Sequence, residues 1–314
     1  MKEFAYSFSI PEAKKLRILI DTDCKNEADD QFALVHALLT PRFRIRGVIA
    51  AHFGTGTCTD SMQRSYEEIL RVMDLMDVHA PAFCGAAHAL PDERTPVVSV
   101  GSEKIISEAM ADDPSPLYIL NWGPLTDMAS ALLQCPEIAG KIHIIWIGGS
   151  TYPQGGGEFN LNNDIFAANV VMRSGARIQM VTMPGFARVY VGFAELQRRV
   201  SRCGKIGAYL YRQLLEYVDT RGDGAGQIPV PMELAEGWCL GDSASLSLLL
   251  NPQAYARKRY PAPQFTENAD YIPDTGLPEI EIVQDIDARF LLEDFFSKLE
   301  LNYPPQLSPE RISE

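Results

Sequence analysis

Apolar residues fall into short blocks along the chain, and the spacing inside each block selects its element. Residues 16–20 (Leu-Arg-Ile-Leu-Ile) form an apolar run of strand length. Phe32, Val35, Leu38 and Leu39 then recur at helical spacing, with small Ala33 and Ala37 between them. The same alternation continues. Strands are predicted over residues 43–51, 81–84, 117–120, 142–147 and 178–182, and helices over 60–76, 102–111, 126–134 and 164–174. On the first of these helices Met62, Tyr66, Ile69, Leu70 and Met73 share one face, and Asp60 stands where a cap belongs. Strands alternating with helices in this way predict an α/β fold with a doubly wound, mostly parallel open sheet.

The second half changes character. Residues 195–219 read as mainly helical, and residues 220–230 as a Gly- and Pro-containing mobile loop. Short helices are predicted around 232–240 and 242–250, edge strands or a hairpin within 261–283, and a terminal amphipathic helix over 286–299. No boundary signal and no internal repeat interrupts the chain. Residues 1–314 are therefore expected to form one domain with a partly helical C-terminal subregion.

Composition narrows the class. With 314 residues, 46% of them apolar, the chain can bury a sizeable core as one large α/β domain or two small ones. It contains no uninterrupted run of about 18 apolar residues, and residues 1–15 lack an apolar signal core. A soluble, cytoplasmic protein is expected. The net charge of −13 would repel a nucleic-acid polymer, which leaves small neutral or cationic ligands. The six cysteines show no CxxC pair or zinc spacing and read as reduced thiols, mostly core filler. Cys24 sits among acids that would raise its thiol pKa, so it is a poor nucleophile.

Residues 21–30, Asp-Thr-Asp-Cys-Lys-Asn-Glu-Ala-Asp-Asp, carry the chemistry. Five carboxylates (Asp21, Asp23, Glu27, Asp29, Asp30) crowd the turn at the carboxyl end of the first strand, where open α/β sheets bind ligands. Charges packed so closely require protonation, a basic partner or a cation. Lys25 is the one base in the loop, and several oxygen donors from one segment suit a hard divalent ion. A helix N-terminus decorated with acids would account for Asp29 and Asp30 but not for Asp21 and Asp23. Other predicted strand ends contribute Trp122-Gly123-Pro124, and Glu158-Phe159-Asn160 with Asp164, while Asp242 stands in an otherwise apolar helix start.

With these motifs the chain resembles the inosine/uridine-preferring nucleoside hydrolases. DTD followed by a DD pair, NWGPLTDMA (121–129), PEIAGKIHIIWIGGS (136–150), EFNLNNDIFAANVV (158–171) and GDSAS (241–245) match the family's segments in order over residues 16–260. The resemblance implies hydrolysis of an N-ribosidic bond to ribose and free base, with bound Ca²⁺. It implies that Asp23 is both a metal ligand and the base that activates water. Asp30, Asp242 and the Trp122 carbonyl would complete the ligand set. Asp29 is carried over as a catalytic and ribose-binding residue, with Glu158 and Asn160 also on the ribose hydroxyls, and Asp21 as orienting the loop. A homodimer or homotetramer is the analogous expectation.

The departures are specific. Five residues, Cys24 to Ala28, separate DTD from DD where the family usually has three. The His that precedes the last Asp in one branch, where it protonates the leaving group, is Gly241 here. His52, at a strand end, is the candidate to stabilise the leaving group; the competing assignment is an ordinary loop histidine. Trp122 and Trp238 are candidates for stacking on the base or for the core. Two other functions compete: a haloacid-dehalogenase-type phosphohydrolase, which leaves the later motifs unexplained, and a metal-dependent riboside-binding protein without turnover. An unusual N- or O-riboside as substrate is a further variant.

Overall fold

The computed structural model describes residues 4–54, 56, 58–221, 236–253, 258–273 and 275–305. In its first half β1 (Leu16–Thr22), β2 (Phe43–Ala50), β3 (Ala82–Cys84), β4 (Leu117–Asn121), β5 (Ile142–Ile147) and β6 (Arg177–Val181) alternate with helices. The helices are α1 (Asp30–Leu38), α2 (Ser61–Met76), α3 (Val100–Ala109), α4 (Thr126–Gln134), α5 (Phe159–Asn163) and α6 (Ile165–Arg173). There follow α7 (Met183–Phe186), β7 (Tyr190–Gly192), α8 (Phe193–Arg199), α9 (Gly204–Arg221), β8 (Gly237–Cys239) and α10 (Ala244–Leu250). The chain continues with β9 (Lys258–Pro261), β10 (Gln264–Phe265), β11 (Tyr271–Ile272), β12 (Glu279–Val283) and α11 (Ala288–Asn302).

One eight-stranded sheet runs in the order β3-β2-β1-β4-β5-β6-β12-β9. Its strands are parallel apart from β9, which is antiparallel to β12. Both faces are buried, which is why the strands read as continuous apolar runs. On β1, Ile18 and Ile20 enter one apolar cluster with Phe32, Val72, Leu210 and Phe296, while Leu19 enters the other with Ile105, Met128 and Val171. β5 does the same, with Ile145 and Ile147 on one side and Ile144 and Trp146 on the other. Each fully buried side chain of this size contributes about 1.5–3 kcal/mol, so slipping either strand by one residue would forfeit contacts on both faces at once.

β1 feeds β2 on one side of the sheet, and β4 returns on the other. This reversal opens a crevice at the carboxyl ends of β1 and β4. There Asp21 pairs in register with Asn121, and the Trp122 N–H donates to the Asp21 carbonyl at 2.7 Å.

The structure corrects two local expectations. Residues 237–239 form a strand, not a helix, because they pair antiparallel with β7. A Cβ at Gly237 would come within 2.5 Å of the Val191 carbonyl, so glycine allows that approach. The expected loop over 222–230 and the rest of the expected helix, 232–235, lie outside the described residues. Asp60 occupies the N-cap position of α2 without capping it; its carboxylate instead accepts from Arg64 Nε at 3.0 Å. Within 261–283 the expected hairpin is β10 paired antiparallel with β11, while β12 lies inside the large sheet between β6 and β9. Among the described residues no helix is long and apolar enough to cross a membrane.

Candidate active site

The loop after β1 is built around Asp29, which caps α1. Its Oδ1 accepts from the Asp30 N–H at 3.1 Å and its Oδ2 from the Asp242 N–H at 3.3 Å. The Thr22 hydroxyl donates to Asp30 Oδ1. Asp242 arrives from far along the chain. The β7–β8 pair, continued by the Leu240 N–H donating to Val189 O at 2.8 Å, delivers the 3₁₀ turn Gly241–Ser243 against the start of α1. As a result Asp29, Asp30 and Asp242 each offer an oxygen within 4.8 Å of the others, and all three are buried.

Among the described residues no ion pair offsets this cluster. Lys25 lies 3.6 Å from Glu68 and is paired there. Burial pushes Asp30 well above the ordinary carboxylate range, and the Asp29 charge adds to it, against hydrogen bonds from Thr22 and Asp242. Burial raises Asp242 likewise, with Asp29 and Asp30 contributing. Asp29 is pushed up to about 6 by burial, held back by the backbone N–H groups it accepts from. Asp23 is raised by burial and by Asp30, Asp29, Glu27 and Glu158, and its buried Oδ2 has no hydrogen-bond partner. An all-oxygen, buried, anionic donor set with an orphaned oxygen beside it fits a hard divalent cation.

Of the expected ligands, the structure brings Asp30 and Asp242 together, with Asp29 as the third member. Asp23 is not in that group. Its side chain lies over Gly123, where an added Cβ would stand 3.2 Å from Asp23 Cβ and Cγ. The Trp122 carbonyl accepts from Asn160 Nδ2 at 3.3 Å. Asp21 is buried with neither carboxylate oxygen partnered; burial raises its pKa, with the Asp127 charge adding to it.

The far wall comes from β5. Glu158 caps α5 and accepts from the N–H groups of Gly149 (2.7 Å), Asn160 (3.0 Å) and Leu161 (3.0 Å). Burial raises its pKa and these donors lower it. Gly149 reaches Glu158 only from a left-handed backbone, φ +77°, which favours glycine. Asn160 ties the walls together, since its Nδ2 also donates to Ile147 O at 3.0 Å.

His52 does not reach the carboxylate cluster. It is fully buried, its Nδ1 accepts from the Gly54 N–H at 3.1 Å, and Nε2–H therefore donates to Thr126 Oγ1 at 2.8 Å. The Thr126 hydroxyl passes the chain on to Asp164 Oδ2 at 2.7 Å. Burial pushes the ring down to about 4, so it is neutral with both nitrogens engaged. Asp164 serves the same framework, accepting from Leu90 N at 2.8 Å and capping α6 through Ala167 N at 2.9 Å. The Trp122 ring is core, its Nε1–H bonded to Ser245 Oγ at 2.7 Å. Trp238 is also buried, but its Nε1–H donates to Glu27 Oε1 at 2.9 Å.

Sequence reasoning passed over the anchors of the long loop. Gln31 Nε2 donates to Cys24 O at 2.7 Å, and Gln213 Nε2, from α9, donates to Ala28 O at 2.9 Å. Gln31 had a local signal, a polar residue within an apolar helix start; Gln213 had none.

A mostly parallel sheet with a buried carboxylate cluster at its switch point defines a Rossmann-like α/β protein. This chain belongs to the inosine-uridine preferring nucleoside hydrolase family, whose sequence pattern matches residues 18–290. The non-specific ribonucleoside hydrolase RihC of Escherichia coli O127:H6 is 28% identical over 191 residues, 53% of this chain and 60% of that protein. The pyrimidine-specific ribonucleoside hydrolase RihA of Salmonella newport is 25% identical over 184 residues, 50% of this chain and 58% of that protein. The match thus spans less than two-thirds of either relative's length. The purine-preferring ribonucleoside hydrolase from Gardnerella vaginalis superposes with a TM-score of 0.74 at 18% identity, covering 91% of this chain and 99% of that one. The expected fold and family are borne out.

Proposed function

We propose that this protein is a metal-dependent hydrolase that cleaves the N-ribosidic bond of a nucleoside or related riboside, giving ribose and free base. The buried Asp29–Asp30–Asp242 group at the switch point carries this reading, with the unpartnered Asp23 oxygen near it. Ca²⁺ is the cation we assign; Asp23, Asp30, Asp242 and the Trp122 carbonyl would hold it, with the Asp29 carboxylate beside them. When bound it would supply positive charge that acidifies water and orients the ribose 2′- and 3′-hydroxyls.

The chain's own groups do the rest. Asp23 takes a proton from the attacking water, whose oxygen bonds to C1′ while the C1′–N electron pair leaves with the base. The oxocarbenium-like state between is stabilised by the surrounding carboxylates in a site of low dielectric. Asp29, Glu158 and Asn160 fix the sugar, and the three N–H donors on Glu158 keep its carboxylate in place for ribose hydroxyls.

One observation favours a second reading, binding without turnover or hydrolysis of an unusual riboside. His52 is neutral and enclosed, and Gly241 brings no side chain, so neither donates a proton to a leaving base. We assign the cytoplasm as the location, which the six free cysteines favour, and one working unit over residues 1–314. A homodimer or homotetramer is assigned by family analogy, and the net charge of −13 argues against a nucleic-acid polymer as partner.

The test is ribose release from a nucleoside panel and an activated nitrophenyl riboside, with and without chelator, beside Asp30→Asn. Chelator-sensitive release that the variant loses is the expected result. Release unaffected by chelator and by Asp30→Asn would overturn the assignment of the site, and no release from any riboside would overturn hydrolysis.

A further inference from the structure

Five residues, Cys24 to Ala28, separate Asp23 from the Asp29–Asp30 pair, and the site needs Asp23 held in one place relative to that pair. Glutamine amides clamp the segment at both ends. Gln31 Nε2 donates to Cys24 O at 2.7 Å, and Gln213 Nε2 donates to Ala28 O at 2.9 Å. The first clamp bears directly on Asp23. Gln31 follows Asp30 in α1, so its bond to Cys24 O ties the residue next to Asp23 to the helix that carries Asp30 and is capped by Asp29. Whatever aims the Gln31 amide therefore aims Asp23.

That group is Glu68, which comes from α2 and is only 4% exposed. Its Oε1 accepts from Gln31 Nε2 at 3.3 Å and from the hydroxyl of Tyr209, supplied by α9. Gln31 Nε2 thus directs its two hydrogens at two acceptors, Cys24 O and Glu68 Oε1. Gln31 Oε1 is buried without a hydrogen-bond partner, so the acceptors on the nitrogen side set which way the amide faces. A carboxylate only accepts, which keeps the Gln31 nitrogen turned toward both. In Glu68→Gln the new amide could donate to Gln31 Oε1 instead, and the flipped Gln31 would set an oxygen against Cys24 O. Lys25 Nζ and Arg71 Nε also lie 3.6 and 3.9 Å from Glu68 Oε2. Both of those side chains are exposed, at 43% and 63%, where an ion pair contributes little. Glu68 acts on the loop chiefly through Gln31.

We propose that Glu68 is a positioning residue of the cation site: through Gln31 it fixes the Cys24 carbonyl, and with it the placement of Asp23 relative to Asp29 and Asp30. This rests on the hydrolase reading above. Glu68 acts without touching the cation or the riboside. Loss of such a supporting group costs roughly 10- to 100-fold in metal affinity or turnover, and misplacing a reacting group by about 1 Å costs as much. Glu158 and Asn160, which hold the sugar, take their hydrogen bonds from β5 and the turn after it, so KM should move less than kcat.

The test follows Glu68→Gln, Gln31→Leu, the two combined, Tyr209→Phe and, as a destabilising control on the other side of the sheet, Ile105→Ala. Ca²⁺ affinity is measured by calorimetry on chelator-treated protein and stability by urea unfolding. Ribose release from the best riboside of the panel gives kcat and KM at saturating Ca²⁺. Glu68→Gln is expected to weaken Ca²⁺ binding by roughly 10-fold and to lower kcat by roughly 10- to 100-fold, with KM within about threefold. Gln31→Leu should do the same, and the combined variant should be no worse than either alone, because both act through one bond to Cys24 O. Tyr209→Phe removes one donor to Glu68 and should weaken Ca²⁺ binding by a smaller factor. Ile105→Ala should lower the urea midpoint and leave Ca²⁺ affinity unchanged. Unchanged Ca²⁺ affinity and kcat in Glu68→Gln, while wild type turns over, would overturn this inference and leave the hydrolase assignment standing. Additive losses in the combined variant would overturn it too, as would an equal loss of affinity in Ile105→Ala. Should Glu68→Gln not fold, Gln31→Leu and Tyr209→Phe decide, and wild-type affinity in both sinks the proposal. Were no ribose released, the Ca²⁺ affinities still decide the role of Glu68. A wild type that binds no Ca²⁺ would overturn the cation site and this inference together, and ribose release then says separately whether hydrolysis stands.

Discussion

Gly149→Ala is a sharp test of how the sugar wall is assembled. Gly149 adopts φ +77°, and a Cβ placed there would stand 2.2 Å from Tyr271 Oη and 2.3 Å from Met180 Cε. The left-handed backbone alone costs an alanine about 1–2 kcal/mol. Overpacking adds about 1–3 kcal/mol, because Tyr271 is held by its hydrogen bond to Ser150 O at 3.1 Å and by Phe265 at 5.2 Å between ring centroids. The total is roughly 2–5 kcal/mol, read by urea unfolding of the whole protein. Tyr271→Phe separates the two contributions. It removes the oxygen at 2.2 Å and leaves ring carbon Cζ, at 3.4 Å, as the nearest Tyr271 atom. Alone it should cost about 1 kcal/mol for the lost hydrogen bond. Combined with Gly149→Ala it should cost less than the sum, by about 1–2 kcal/mol. The Gly149 N–H also holds Glu158, so KM for the riboside should rise in Gly149→Ala. An alanine variant within about 0.5 kcal/mol of wild type, or additive behaviour in the double variant, would refute the packing argument.

Two further outcomes follow from buried charge. Burial pushes His36 down to about 4, against the Asp294 carboxylate that accepts from its ring at 2.7 Å. Its folded pKa lies below its unfolded value of about 6.5, so this stability is full above that pH and lost as pH falls toward 4, by about 3 kcal/mol. Urea unfolding across pH 4–7.5 should show the decline flattened in His36→Leu, and parallel profiles would refute it. At the carboxylate cluster the sign reverses. Asp29 is raised to about 6, so without cation its contribution is present below about pH 4 and lost as pH rises through 6. Adding Ca²⁺ to chelator-treated protein at neutral pH should then raise stability, by about 4 kcal/mol at a thousandfold excess over Kd. Asp30→Asn should abolish most of that gain in a thermal-shift assay; an equal gain in the variant would refute the ligand assignment.

What the sequence determined by itself was local. Short continuous apolar runs placed β1, β2 and β5, and a 3.6-residue apolar period placed α1, because each element's burial is written in residues a few positions apart. The Asp21–Asp30 run announced a charge problem at a strand end, and its order with the later motifs identified the family. What only the tertiary structure decided was which distant groups meet. Asp242 reaches Asp29 across 213 positions because β8 pairs with β7, and the same pairing turns residues 237–239 into a strand. Trp238 meets Glu27 across 211 positions for the same reason. His52 sits at a strand end that looks open in sequence, yet burial and the Thr126–Asp164 chain enclose it. A short segment carries no preference strong enough to choose such partners. Burial and strand pairing choose them, and both exist only once the sheet has closed over its two cores.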